Sequence, residues 1–98
     1  MFLQIETKGA EMSNIKEISE MIKELKSDSE VTRLLNELLT ESELDTLSKR
    51  WRIVKMLDSG LTQREIAKEL KVSLCKVTRG AKILKKPDSM VRKFLKHK

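Results

Sequence analysis

Cysteine occurs once in the 98 residues, at Cys75. One thiol cannot build a disulfide framework within a chain, which suits a reducing compartment. Histidine also occurs once, as His97. No His–carboxylate, Ser–His or Cys–His constellation appears, and no metal-ligand spacing surrounds that histidine, so neither an enzyme nor a metal protein is expected. Tyrosine is absent, and the aromatics are limited to Phe2, Trp51 and Phe94. The core must therefore be aliphatic. One proline and three glycines fit an all-helical chain with short turns. No stretch is long and apolar enough to cross a membrane, and MFLQI is too short for the apolar region of a signal peptide. A cytoplasmic protein that works on nucleic acid is expected, with no membrane partner.

Charge is plentiful, and it is segregated. The net charge is +6. Residues 1–48 hold 5 Lys/Arg against 11 Asp/Glu, a net of −6, whereas residues 49–98 hold 16 against 4, a net of +12. Charge that only solubilises a surface does not separate so strongly. A basic half is the electrostatic footprint of a surface that meets phosphates. A membrane-surface role needs a basic amphipathic helix with bulky apolar anchors, of which VRKFLKHK at the C-terminal end is only a faint example.

The basic half contains LTQREIAKELKVSLCKVTRGAKILK, residues 61–85. Thr62 and Glu65 form a capping box, hydroxyl to backbone one way and carboxylate to backbone the other. Ile66, Ala67 and Leu70 share one face of the helix that follows. Ser73 caps a second helix starting at Leu74, which buries Val77 and Leu84 with small Gly80 and Ala81 between. This spacing over about 62–85 is that of a helix-turn-helix, whose second helix enters the major groove of DNA. The turn favours glycine because its backbone is left-handed, yet Lys71 stands there. The turn is thus either strained by about 1–2 kcal/mol or differently shaped.

The rest of the chain reads as further helices. Residues 1–11 lack helical periodicity and are expected to form an arm, with residues 12–98 a single all-helical domain for dimerisation and DNA binding. A first helix is expected from Ser13 to about Lys26, with Ile15, Ile18, Met21, Ile22 and Leu25 on one stripe. SDS at 27–29 breaks and caps the chain before a second helix to Leu39. The apolar stripe of that helix (Val31, Leu34, Leu35, Leu38, Leu39) is wide enough to suggest burial between two chains. A third helix over about 41–59 should bury Leu44, Leu47, Trp51, Val54 and Leu57 and end at Gly60. Pro87 stops the reading helix, and a last short helix from about Asp88 carries Val91, Phe94 and Leu95. The sum is an all-α fold of six helices.

LLNELLT at 34–40, RWRIV at 50–54, TQRE at 62–65 and TRG at 78–80 together resemble the bacterial tryptophan repressor family, over about residues 30–96. Generic helix-turn-helix proteins do not share this combination. The resemblance implies an intertwined homodimer on double-stranded operator DNA, and a small-molecule effector, with L-tryptophan as the co-repressor and no other cofactor. It also implies a ligand pocket. Arg50 and Arg79 would sandwich the ring, Thr40 would help hold the carboxylate, and the Leu39 carbonyl would meet the ammonium. Gly80 would leave room for the ring. Two positions depart from the family: Glu37 stands for a leucine, and Ile83 stands for the serine whose hydroxyl receives the ammonium. Another small ligand, or none, therefore stays open, as does a second use of Arg50 and Arg79 as phosphate contacts.

For DNA, Gln63 and Arg64 open the first reading helix, and Leu74, Cys75, Lys76 and Thr78 match the face that enters the groove. Lys76 replaces a family threonine and can reach guanine acceptors or phosphate. Lys49, Arg52, Lys82 and Lys85 are candidate phosphate contacts, which position without specifying sequence. Cys75 is read as a small groove-facing residue, with redox sensing left open. A promoter-reading module of the sigma-factor kind is the other DNA-binding reading. An adaptor that offers its basic face to an acidic protein is a third.

Overall fold

The computed structural model describes the backbone of residues 8–96 and the side chains of residues 12–96. Among these residues it is all-α, with six helices and no strand. The chain divides between Thr40 and Glu41 into two compact units, inside the stretch expected to be one domain, and each is taken by itself. Of the arm expected over 1–11, residues 1–7 lie outside the described residues, as does His97.

The first unit holds α1 (Lys8–Glu24) and α2 (Asp28–Leu38). Helix α1 starts five residues before the expected Ser13, because Ala10 and Glu11 are strong helix formers that carry the helix backwards. It ends two residues before the expected Lys26. The Lys26 N–H serves the next helix instead, donating to the Glu30 carboxylate at 2.6 Å, while the Glu30 N–H donates to the Ser27 hydroxyl at 3.2 Å. Ser27 is the N-cap of α2. No residue from Met12 to Thr40 is buried, and the apolar stripe of α1 and α2 lies open, with Ile15 56% and Leu38 50% exposed.

The second unit holds α3 (Glu41–Asp58), α4 (Gln63–Leu70), α5 (Leu74–Lys85) and α6 (Met90–Lys96). Helix α3 packs on α5, α4 and α6, and α5 packs on α4 and α6. The core is aliphatic: Ile53 and Val54 of α3, Ile66 of α4, and Val77 and Ala81 of α5 are buried. Expected core residue Val54 is there. Leu47 is not, being 42% exposed, whereas Ile53 is 2% exposed and central. The stripe Leu44–Leu47–Trp51–Val54 is only one face of α3. Ile53, about 100° round the helix from Val54, points into the α4–α5 side, where Ile66 and Val77 meet it. Trp51 is half-buried and packs at a tilt against Phe94 of α6, ring centroids 6.1 Å apart, with the Lys55 ammonium 5.9 Å from its ring.

The helix ends follow local chemistry. Gly60 takes φ +102°, and Leu61 N–H donates to Met56 O at 3.2 Å, closing α3 in the left-handed manner that suits glycine. The Thr62–Glu65 capping box forms in both directions. The Thr62 N–H and then its hydroxyl hold the Glu65 carboxyl below its ordinary range. That contribution to stability is present above the ordinary carboxylate pKa and is lost as the pH falls through the lowered one. Lys86, just before Pro87, is pushed to ψ 138° and ends α5.

Lys71 sits at φ 56°, ψ 45°, the single non-glycine residue of positive φ among those described. The turn thus keeps its left-handed shape and carries the strain. Lys71→Gly is expected to stabilise the chain by about 1 kcal/mol, the relief of left-handed backbone less some extra freedom of the unfolded chain. Urea melts at fixed protein concentration measure it, and an unchanged or lower midpoint would show that the turn carries no net strain.

Candidate nucleic-acid interface and ligand cleft

Two surfaces of the second unit gather the residues of interest. The first is the outer face of α5. Ser73 starts this helix, its hydroxyl accepting from the Lys76 N–H at 3.3 Å. The face is an open trough of about 770 Å³. Leu74, Cys75, Lys76 and Thr78 line it, as the sequence predicts, and so do Arg79 and Lys82. Ile83 and Lys86 complete it. Lys86 is the residue that sequence reasoning passed over, because it lies past the last helical position. Cys75 is a free, exposed thiol. The trough is cationic at four points and carries no acidic side chain.

Gln63 joins this surface from α4. Thr78 donates its hydroxyl proton to the Gln63 side-chain oxygen at 3.0 Å, and its oxygen also lies 3.0 Å from Leu74 O. One hydroxyl proton serves these two acceptors in turn. The contact ties the first turn of α4 to the middle of α5, so the two helices present their polar groups in a set relation. Arg64, Arg52 and Lys85 are exposed but line neither the trough nor the cleft described next.

The second surface is a smaller and more enclosed cleft of about 100 Å³ between α3 and α5. Arg50 comes from α3 and Arg79 from α5, so the pair singled out in the sequence does share one cleft. Ile53 and Val72 supply its apolar part, and Asp45, Thr46, Lys49 and Lys76 supply the polar rim. Lys49 pairs with Asp45 at 3.1 Å, one helical turn away. Both side chains are more than half exposed, so this pair adds little to stability. Lys76 and Arg79 line both surfaces. They form the wall between trough and cleft.

Other pocket candidates fall elsewhere. Ile83 lines the trough and not the cleft. Gly80 is buried, and a Cβ built on it would meet the Ile53 Cγ2 atom at 2.8 Å. Its small size is required by the crossing of α3 and α5. Leu39 and Thr40 belong to the first unit, at the end of α2. No group of three or more His, Cys, Asp or Glu residues suited to a metal occurs among the described residues.

A further arginine, unnoticed in the sequence, steadies this unit. Arg92 of α6 donates to Leu84 O at 2.9 Å and to Pro87 O at 2.8 Å, and its N–H donates to the buried Ser89 at 3.1 Å. The guanidinium thereby takes up a carbonyl of the last turn of α5, which has no partner within the helix.

The family model of the Trp repressor protein matches residues 13–98. The chain belongs to the Trp repressor family. This is a family of transcription regulators and not of enzymes. Among curated relatives, a Trp operon repressor homolog of Chlamydia caviae is 41% identical over 54 residues, 54% of either chain. One from Chlamydia trachomatis serovar L2 is 40% identical over 50 residues, 50% of this chain and 53% of the relative. The chain thus matches about half the length of these relatives. No solved structure matches it significantly. Arg50 and Arg79, which the resemblance to the Trp repressor family would set on either side of a ring, line the same cleft. No helix among the described residues is long and apolar enough to cross a membrane.

Proposed function

We propose that this chain is a sequence-specific DNA-binding repressor, working as a homodimer and switched by L-tryptophan or a related small ligand in the Arg50–Arg79 cleft. Its targets would be genes of tryptophan biosynthesis or transport. The observation that carries this reading is the shared wall: Lys76 and Arg79 line the cleft on one side and the outer trough of α5 on the other. A ligand that orders Arg79 from inside the cleft changes what α5 presents outside it. Ligand and DNA are then coupled, and by linkage each strengthens or weakens the other by the same factor.

The helix pair α4–α5, with its three-residue turn and its Gln63–Thr78 tie, supports reading of the major groove by α5. The homodimer is supported by the first unit. A stripe of Ile15, Met21, Ile22 and Leu38 left open, with nothing buried from Met12 to Thr40, is a surface in need of an equal partner.

Calorimetric titration with L-tryptophan, paired with operator binding with and without it, tests the switch. Arg79→Ala is expected to weaken ligand and operator binding together, each by about tenfold or more. Lys76→Ala is expected mainly to change which base is preferred at its position. If Arg79→Ala left operator affinity unchanged in both the presence and the absence of ligand, the switch would be refuted.

A further inference from the structure

Thr78 has a single hydroxyl proton, and two oxygens lie 3.0 Å from its Oγ1, Gln63 Oε1 and Leu74 O. Leu74 O belongs to α5, where the backbone N–H four residues on already serves it. The Gln63 oxygen has no helix ladder to supply a donor. With the hydroxyl proton on Gln63 Oε1, the side-chain amide is held by its oxygen, and its N–H groups are the donors it has to offer. Turned over, the amide would donate to Thr78 and offer its oxygen instead. The two arrangements suit opposite partners. A phosphate oxygen only accepts, so it matches the first and is repelled by the second. Adenine shows an acceptor beside a donor in the major groove, and a glutamine reads it with amide nitrogen and oxygen together. A glutamine held by its oxygen is not free to do so. The place of each residue in the fold agrees. Gln63 is the first residue of α4, and Thr78 lies on α5. In a helix-turn-helix the first helix crosses the DNA backbone while the second enters the groove. The exposed Arg64 follows Gln63 directly.

We propose that Thr78 is a positioning residue: its hydroxyl holds the Gln63 amide oxygen, so that Gln63 donates to one phosphate of the operator backbone and reads no base. The proposal rests on α4–α5 being the DNA-reading pair. Thr78 stands on the outer face of α5 beside Lys76 and Cys75, yet it spends its only proton inside the protein. Its part in binding is therefore exercised through Gln63. An approaching phosphate selects the arrangement with the N–H groups outward, because only that arrangement gives it a donor. The bond it receives is charge-assisted, and stronger than one between neutral groups. Such a contact fixes the register of the protein on the duplex and carries no sequence information. Hydroxyl and amide then act as one unit, and removing either loses the same contact.

The probe is a duplex that the full chain selects from a random-sequence pool, with binding read by fluorescence anisotropy at one salt concentration. Thr78→Val keeps the shape of threonine without its hydroxyl. It is expected to weaken binding by about tenfold, and Gln63→Ala by about as much. Thr78→Ser keeps the hydroxyl and should bind like the parent. The double variant Gln63→Ala/Thr78→Val should bind no worse than either single variant, the mark of a shared contact. Methylphosphonates placed one at a time in the duplex read the contact itself, since each removes the charge of one phosphate. One position should weaken the parent and leave both Gln63→Ala and Thr78→Val unaffected. Thr78→Val should select the same base sequence as the parent. Thr78 is exposed, and melting curves certify the fold of each variant. Thr78→Ala, which also lacks the hydroxyl, takes the place of Thr78→Val should the latter melt early. Four results would each overturn the proposal and leave the DNA reading standing: losses that add in the double variant, either single variant binding like the parent, a Thr78→Val that selects different bases, or one that keeps the parent's pattern of methylphosphonate sensitivity. A parent chain that selects no duplex would remove the DNA reading itself, and the proposal with it.

Discussion

Duplex binding is expected to weaken by roughly a thousandfold between 50 and 200 mM salt, the response of a protein that neutralises about six phosphates. The count comes from the basic half of the chain. Lys49, Arg52, Arg64, Lys76, Lys82 and Lys85 are all exposed in the second unit, and among the described residues only Lys49 of these six has an acidic partner within 4 Å. Each cation that displaces a condensed counterion from DNA contributes nearly one unit to the slope of log affinity against log salt. Because this term does not depend on base sequence, any duplex serves for the measurement. Fluorescence anisotropy of a labelled duplex at several salt concentrations reads it directly. A flat and weak response would point to an acidic protein partner and away from nucleic acid. Lys86, which the fold returns to the trough, is expected to add to the slope and not to base preference.

Gly80→Leu is expected to cost about 3 kcal/mol or more of stability. In sequence Gly80 belongs to TRG, where the resemblance gives it the task of leaving room for a ligand. In the folded unit it is buried, with the Ile53 methyl 2.8 Å from where its own Cβ would be and a Leu57 methyl at 3.5 Å. Ile53 is itself buried and cannot step aside without disturbing Ile66 and Val77. Gly80→Ala should cost less. Alanine returns about 1 kcal/mol of helix propensity, while the displaced methyl takes about 1–3 kcal/mol. Coupling identifies the cause. Combined with Ile53→Ala, which removes the opposing Cγ2, the Gly80→Ala penalty should shrink or reverse. Urea denaturation at fixed protein concentration measures all four species. Gly80→Leu melting like the parent would show that α3 and α5 do not cross so closely, and would leave Gly80 only the role that the resemblance gives it.

How far the site was legible in the sequence differs from residue to residue. The caps were plain: Thr62 with Glu65, Ser73 and Gly60 all do what their spacing predicts, because capping is settled within a few residues. The left-handed turn was also legible, down to Lys71 standing in it. The residues that share the outer face of α5 followed from helical periodicity. Less legible were contacts between elements. The Thr78–Gln63 bond spans 15 residues, and the Arg92 fork reaches back 8 and 5 residues to backbone carbonyls, which carry no residue-type signal.

The sequence by itself determined the elements and their chemistry. Six helices, an aliphatic core and an acidic half followed by a basic one are properties of composition and of period, and these are local. It also determined the family, since the motifs that carry the resemblance are short and particular. Only the tertiary structure decided what each residue faces. Ile53 proved central and Leu47 did not, since a helix with apolar residues on two faces does not say which face its neighbours will cover. Gly80 was assigned to a helix crossing, Ile83 to the outer trough, and Arg50 with Arg79 to one cleft whose wall they share with Lys76. These assignments depend on how closely and at what rotation α3 meets α5. Packing of side chains from distant parts of the chain sets that meeting, and no local pattern encodes it.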